Sequence, residues 1–145
     1  MSAGFTKLGS SLAELDVAWQ DRLKDAEALF VSGRHAWAIA TGLYALEIRL
    51  KALIYRRLDL EQLPRAFETH ELSSLLLLAG LSRRIERKPA RGVKGNWDQI
   101  LLMAPQLNDF RYKPDTNWDA SRAQTFLAQL RDTPYGVLTW LNKVR

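Results

Sequence analysis

The sequence predicts an all-α protein, an up-and-down bundle of about five helices in one domain that spans residues 1–145. Two observations support this fold class. Apolar residues recur at spacings of three and four along most of the chain, and no segment shows the strict alternation of a half-buried strand. A chain of 145 residues is also long enough to bury about two-thirds of its unfolded surface in one core.

The first predicted helix begins after Ser11. Glu14 follows three residues later, which is the spacing of a capping box, where each side chain binds a backbone amide of the other residue. Gly33 supplies the stop. Residues 1–10 are predicted to form a flexible N-terminus. The apolar stripe of this helix consists of Leu12, Leu15, Trp19, Leu23, Ala26 and Phe30.

The second predicted helix spans about residues 34–58 and is apolar over most of its circumference. We therefore expect it at the centre of the bundle. Its small residues share one face and would allow another helix to come close; they are Ala38, Gly42 and Ala45. This face predicts either a contact within the chain or the contact of a homodimer, and the sequence leaves both open.

Three further helices are predicted in the second half of the chain. A short helix is predicted around residues 71–81, and it would start at Thr69 or His70. The next begins near Asn96, and Pro105 should kink it or divide it into two pieces. The last contains Pro134, which predicts a bend or a break.

The positive charge of the protein lies in one segment. The formal net charge is +5, and residues 83–94 alone hold six basic residues against one acid. Because Pro89, Gly92 and Gly95 disfavour a continuous helix, we predict that residues 83–95 form an exposed basic loop. Such a loop would either attract phosphates with salt-sensitive affinity or simply be solvated. Its basic residues are Arg83, Arg84, Arg87, Lys88, Arg91 and Lys94.

The composition argues against several classes of function. The chain has no cysteine, which excludes disulfides, cysteine-based zinc sites and thiol nucleophiles, and two histidines leave little material for a metal site. No phosphate-binding loop, dinucleotide fingerprint or hydrolase motif is present. Apolar runs are shorter than the about 20 residues of a membrane span, and the N-terminus lacks the apolar core of a signal peptide. We expect a cytoplasmic protein without a metal, a cofactor or membrane association.

Three charged residues interrupt the apolar second helix: Glu47, Arg49 and Lys51. Glu47 and Lys51 are four residues apart, with the acid first, which is a favourable surface pair on a helix. The alternative is that one of the three charges faces inward because a ligand or a partner chain requires it.

A second polar cluster precedes the third helix. Arg65 and His70 are residue types that together serve RNA cleavage, since an imidazole can move a proton while a guanidinium stabilises charge on the phosphorus-bound oxygens. The alternative is that His70 caps the helix and Arg65 is solvated.

A third cluster follows the apolar stripe that ends at Phe110. Arg111 and Tyr112 offer a planar donor and an aromatic ring, which could hold a phosphate or stack on a base. The alternative is a structural role, with Arg111 paired to Asp109 or Asp115 and Tyr112 half-buried.

Three segments, in their order and spacing, resemble the HEPN family: DAEALFVSGRHAWAIATGLYALEIRLKALI, THELSSLL and FRYKPD. The resemblance covers residues 21–141. It implies a helical domain, often dimeric, that accompanies a minimal nucleotidyltransferase or acts as a ribonuclease in toxin–antitoxin and related defence systems. It also implies that Glu47 and Lys51 belong to the recurrent pattern of the family's second helix.

The chain departs from the family at the catalytic motif. Ribonuclease members carry an arginine followed four to six residues later by a histidine, whereas Arg111 is followed by YKPDTNWD and no histidine occurs after His70. We therefore expect a HEPN-like protein that binds RNA or a nucleotide, or docks a nucleotidyltransferase-type partner, without the usual ribonuclease motif. Arg111 and Tyr112 would contact phosphate or base, with Lys51 and the basic loop adding attraction.

Two alternatives stay open. One is a metal-independent ribonuclease with a non-standard site, in which Arg65 and His70 would be brought near Arg111 across a dimer. The other is a structural subunit that forms homodimers through the small face of the second helix.

Overall fold

A computed structural model of the protein describes residues 10–62, 64 and 69–144, with only the backbone for Asn108. This part of the chain contains seven α-helices and no strand, so the predicted all-α bundle is confirmed. Of the predicted flexible N-terminus, residues 1–9 lie outside the described residues. The helices are α1 (Leu12–Val31), α2 (His35–Leu58), α3 (Leu72–Leu78), α4 (Arg91–Met103), α5 (Leu107–Tyr112), α6 (Ala120–Arg131) and α7 (Val137–Leu141).

Helix α1 begins with the predicted capping box. The backbone amide of Glu14 donates to the Ser11 hydroxyl at 3.2 Å, and the backbone amide of Ser11 donates to the Glu14 carboxylate at 3.0 Å. The helix ends before Gly33, whose φ of +77° is a conformation that favours glycine. Both ends therefore follow from local sequence.

Helix α2 is the central helix and has almost the predicted bounds. Fourteen of its 24 residues are buried. The short link after α1 folds the two helices into an antiparallel hairpin, since Asp16 near the start of α1 contacts Arg56 near the end of α2. The buried apolar side chains of the protein form one core around this helix.

The small face of α2 packs within the chain. A β-carbon added at Gly42 would lie 2.5 Å from the ring of Phe126 and 3.2 Å from Leu130, both on α6, and Ala38 and Ala45 are fully buried. The absence of side-chain bulk on α2 thus lets α6 approach closely. Of the two alternatives for this face, the contact within the chain is therefore the one that the structure contains.

The predicted proline breaks are present. Pro105 lies in a 3-10 turn, Ala104–Gln106, that separates α4 from α5. Pro134 lies between α6 and α7. In both places the missing amide hydrogen ends the regular helical ladder.

The prediction of a basic loop over residues 83–95 is wrong. The segment folds into two 3-10 turns, Arg84–Glu86 and Lys88–Ala90, and α4 already begins at Arg91. Glycine is tolerated near the start of α4 because the helix gains stability from the burial of Val93 and Trp97. In addition, the ring of Tyr135 packs closely over Gly92. Residues 83–94 are called the basic segment below.

Candidate functional site

The three charged residues that interrupt the apolar part of α2, Glu47, Arg49 and Lys51, lie on two opposite faces of the helix. Glu47 and Lys51 are four residues apart and share one face. Arg49 is two residues from each, which at about 100° per residue places it on the other side. Its side chain is 9% exposed and pairs with Asp16 at 3.3 Å and with Asn142 at 3.0 Å. Arg49 is therefore a buried charge that is paired within the chain.

The Glu47 face carries a chain of charged contacts. Lys51 Nζ lies 3.4 Å from one Glu47 oxygen, and His70 Nδ1 lies 2.7 Å from the other. The side chains of Lys51 and Glu47 are 9% and 15% exposed, whereas that of His70 is 81% exposed. The predicted pair is present, but it is not a solvated surface pair. Lys51 is buried and paired, so it adds little attraction for a distant phosphate.

Helix α5 brings Arg111 to the same face of α2. Its Nη2 donates to the Tyr44 hydroxyl at 3.5 Å, and hydrogen bonding to Tyr44 and then to Tyr112 raises the pKa of Arg111. Arg111 is exposed, and Tyr112 is 77% exposed. The structural alternative for this pair is wrong, since Tyr112 is not half-buried and the ion-pair partner of Asp109 is Lys113, at 3.6 Å.

His70 and Arg111 consequently lie over neighbouring turns of α2. Tyr44 and Glu47 are three residues apart, so their side chains are neighbours on the helix surface. His70 contacts one of them and Arg111 contacts the other. One chain therefore brings these two catalytic candidates to one surface, called the Glu47 face here. Arg65, the third candidate, lies outside the described residues.

The side chains of the basic segment have different surroundings. Lys94 is held by Asp98 at 2.8 Å and by Glu86 at 3.6 Å, and hydrogen bonding to Asp98 raises its pKa. Arg84 is half-buried. Four others are exposed and make no hydrogen bond or ion pair with any residue that the structure describes: Arg83, Arg87, Lys88 and Arg91. The segment thus retains a surplus of positive charge at the surface.

Aromatic side chains from the C-terminal part of the chain lie beside the basic segment. A cavity of about 420 Å³ is lined by Arg84 and Arg87 of the basic segment and by Tyr135, Trp140 and Lys143 of the C-terminal part of the chain. Tyr135 is 54% exposed. We call this cavity the aromatic groove. Sequence reasoning missed it, because the first aromatic residue after the segment, Trp97, is buried, and the groove residues follow about 40 positions later.

Within the described residues, no group of three or more acidic or histidine side chains could hold a metal ion. The helices there also lack the combined length and apolarity of a membrane span. No family model matches the chain, and neither does any curated protein or solved structure.

Proposed function

We propose that the protein binds single-stranded RNA or a nucleotide in the aromatic groove. The observation that supports this function is the placement of three cations around two aromatic rings: Arg84, Arg87 and Lys143 border the cavity that Tyr135 and Trp140 line. Proteins that bind single strands combine a positive groove for the backbone with rings on which bases stack, and each stacked base contributes about 1–3 kcal/mol.

The charge of the surrounding surface favours a polyanionic ligand. The net charge of the basic segment equals the whole formal charge of the chain, and two of its arginines, Arg84 and Arg87, line the groove. A polyanion that displaces counterions from several such cations binds more tightly at low salt. The resemblance to the HEPN family selects RNA among the polyanions.

Binding of a fluorescent oligoribonucleotide, measured by anisotropy, tests this function. Arg87→Gln and Lys143→Gln should each weaken binding several-fold, and Trp140→Ala should weaken it at high salt as well, because stacking is not screened. Lys24→Gln removes the same charge from the exposed surface of α1, away from the groove, and should leave the affinity almost unchanged. Equal affinities for all four variants and the native protein would exclude the groove as the binding site.

The Glu47 face favours a second candidate function, cleavage of RNA without a metal. His70 Nδ1 contacts the Glu47 carboxylate, which is how a general base is oriented, and its Nε2 makes no hydrogen bond with the described residues. The His70 imidazole would remove the proton of a 2′-hydroxyl, whose oxygen then bonds to phosphorus as the bond from phosphorus to the 5′ oxygen breaks. The imidazolium would return the proton to the leaving 5′ oxygen, while the Arg111 guanidinium would stabilise charge on the phosphorus-bound oxygens. This candidate needs no second protomer.

Incubation of the purified protein with RNA between about pH 6 and 8 tests this activity. We expect products with 2′,3′-cyclic phosphate ends, which His70→Ala and Arg111→Ala should abolish and Glu47→Gln should reduce. Lys24→Gln should cleave as the native protein does. An absence of cleavage, or cleavage that persists in His70→Ala, would eliminate this candidate and leave the binding function intact. A nucleotidyltransferase partner stays a prediction from the resemblance, which co-purification would test.

A further inference from the structure

A second cavity, next to the aromatic groove, has four arginines in its lining. It has a volume of about 450 Å³ and lies between the C-terminal half of α2, the turn after α3 and the last residues of the chain. These arginines are Arg49, Arg56, Arg57 and Arg84. We call it the arginine pocket. Because Arg84 also borders the aromatic groove, the two cavities are adjacent.

Positive charge in the arginine pocket exceeds negative charge. Asp16 binds two of the arginines, with one carboxylate oxygen 3.3 Å from Arg49 and the other 2.6 Å from Arg56. Arg57 donates to a neutral acceptor, the carbonyl oxygen of Leu78, at 3.1 Å. None of the described residues that line the cavity is acidic. Within the part of the chain that the structure describes, one carboxylate therefore serves both Arg49 and Arg56, and Arg57 has no acidic partner.

The arginines are held in place by the surrounding structure. Arg49 donates from Nε to Asn142 and from Nη1 to Asp16, and its guanidinium lies 5.4 Å from the centre of the Trp19 ring. Arg57 crosses the backbone at Gly80, where a β-carbon would overlap its guanidinium. Donors fixed in this way lose little side-chain entropy when a ligand binds.

Burial also makes an anion in this pocket favourable. Removal from water lowers the pKa of Arg49, an effect that Asp16 opposes and the neighbouring Arg56 reinforces. A buried guanidinium with a like charge beside it is stabilised by any further negative charge that enters the cavity.

We propose that the arginine pocket binds a phosphate monoester. Guanidinium groups bind phosphate through paired, charge-assisted hydrogen bonds, and a dianion balances more of the surplus charge than a carboxylate does. The monoester is either a free small metabolite, for which inorganic phosphate with its similar dianionic group serves as a probe, or the terminal phosphate of the RNA or nucleotide in the aromatic groove. The second source rests on the proposed function.

The first experiment uses inorganic phosphate alone. The melting temperature of the native protein should be higher in sodium phosphate than in sodium chloride of equal ionic strength, because the phosphate binds only the folded state. Arg57→Gln should abolish this difference, and so should Arg56→Gln, which serves as the second variant should the first fold poorly. Lys24→Gln should retain it. Equal melting temperatures of the native protein in both salts would overturn the proposal.

The second experiment separates the two sources. Two oligoribonucleotides of one sequence are compared, one with a 5′-phosphate and one with a 5′-hydroxyl. If the terminal phosphate enters the pocket, the phosphorylated strand should bind about tenfold more tightly, and Arg57→Gln should remove that preference. Equal affinity for both strands, with the stabilisation by inorganic phosphate intact, assigns the pocket to a free monoester.

The two experiments distinguish failure of the pocket proposal from failure of the proposed function. If the hydroxyl strand binds but neither inorganic phosphate nor the 5′-phosphate has any effect, the pocket proposal is overturned and the proposed function stands. If inorganic phosphate stabilises the protein and neither strand binds, the pocket proposal stands and the proposed function fails.

Discussion

The buried position of the Arg49 guanidinium could not be predicted from the spacing of residues in the sequence. The four-residue spacing of Glu47 and Lys51 predicted that they would pair, and the structure contains that pair. The burial of Lys51 and Arg49 was not predictable, because it depends on α1, α5 and the C-terminal residues that cover the helix. Helical periodicity identifies residues that share a face, and only tertiary packing decides which face meets water.

Removal of the Arg49 side chain should destabilise the fold. Loss of one partner of a buried ion pair costs about 3–5 kcal/mol, and because Asp16 keeps its contact with Arg56 we expect about 2 kcal/mol for Arg49→Ala. Urea denaturation measures this free energy of unfolding. The matched control is Arg22→Ala, which breaks an exposed pair with Asp25 and should cost less than about 0.5 kcal/mol. A similar cost for both variants would show that Arg49 does not stabilise the core.

At the scale of whole helices, local sequence determined most boundaries. The capping box at Ser11, Gly33 and the two prolines set helix ends that the structure contains. The start of α4 was misjudged, because glycine normally disfavours a helix and here the burial of Val93 and Trp97 outweighs that preference. The same limit applies to the candidate site: the cations were visible in the sequence, whereas the aromatic groove depends on how α7 packs.

Two glycines in helices should respond oppositely to replacement by alanine. Gly42→Ala places a methyl group against Phe126, so it should destabilise the protein by about 1–3 kcal/mol. Gly95→Ala meets no atom within 4 Å and should stabilise it by up to about 1 kcal/mol. Chemical denaturation measures both. If Gly42→Ala is as stabilising as Gly95→Ala, then α6 does not pack tightly on that face.

The capping box of α1 should make stability depend on pH. The hydrogen bonds from Ser11, chiefly that of its backbone amide, lower the pKa of Glu14 from its ordinary value of 4.5. A carboxyl whose folded pKa is lowered stabilises the fold fully above its unfolded pKa, and this stabilisation is lost as the pH falls through the folded pKa.

Glu14→Gln should therefore have a lower melting temperature than the native protein at neutral pH, and the difference should shrink as the solution is acidified below pH 4.5. Thermal denaturation at a series of pH values measures this difference. Glu61→Gln, at an exposed position after α2, serves as the control and should show no such trend. A difference that stays constant with pH would mean that the charge of Glu14 is not involved.

At the scale of the whole molecule, the concentration of charge in one segment should govern binding to RNA. Replacing Arg83, Arg84, Arg87 and Lys88 by glutamine lowers the formal charge from +5 to +1. If all four cations displace counterions from a single strand, the slope of log K against log salt should decrease in magnitude by about 3. Anisotropy titrations at several salt concentrations give this slope.

The control for this measurement is Arg111→Ala, which changes a cation on the Glu47 face and should retain the full slope for binding in the aromatic groove. Salt-insensitive binding that is identical in the native protein and the fourfold variant would contradict the proposed RNA interface. A slope reduced by Arg111→Ala instead would place the RNA on the Glu47 face.

Arg84 is shared by both cavities, which has a thermodynamic consequence. If both cavities bind ligands as proposed, a ligand that orients this side chain in one cavity would alter the donors offered to the other, and the two occupancies would be linked. Linkage is reciprocal. If an anion in the arginine pocket changes the affinity of the aromatic groove for its ligand by some factor, the groove ligand changes the affinity of the pocket for the anion by the same factor. Saturating either compartment would then tune the other without any movement of a helix.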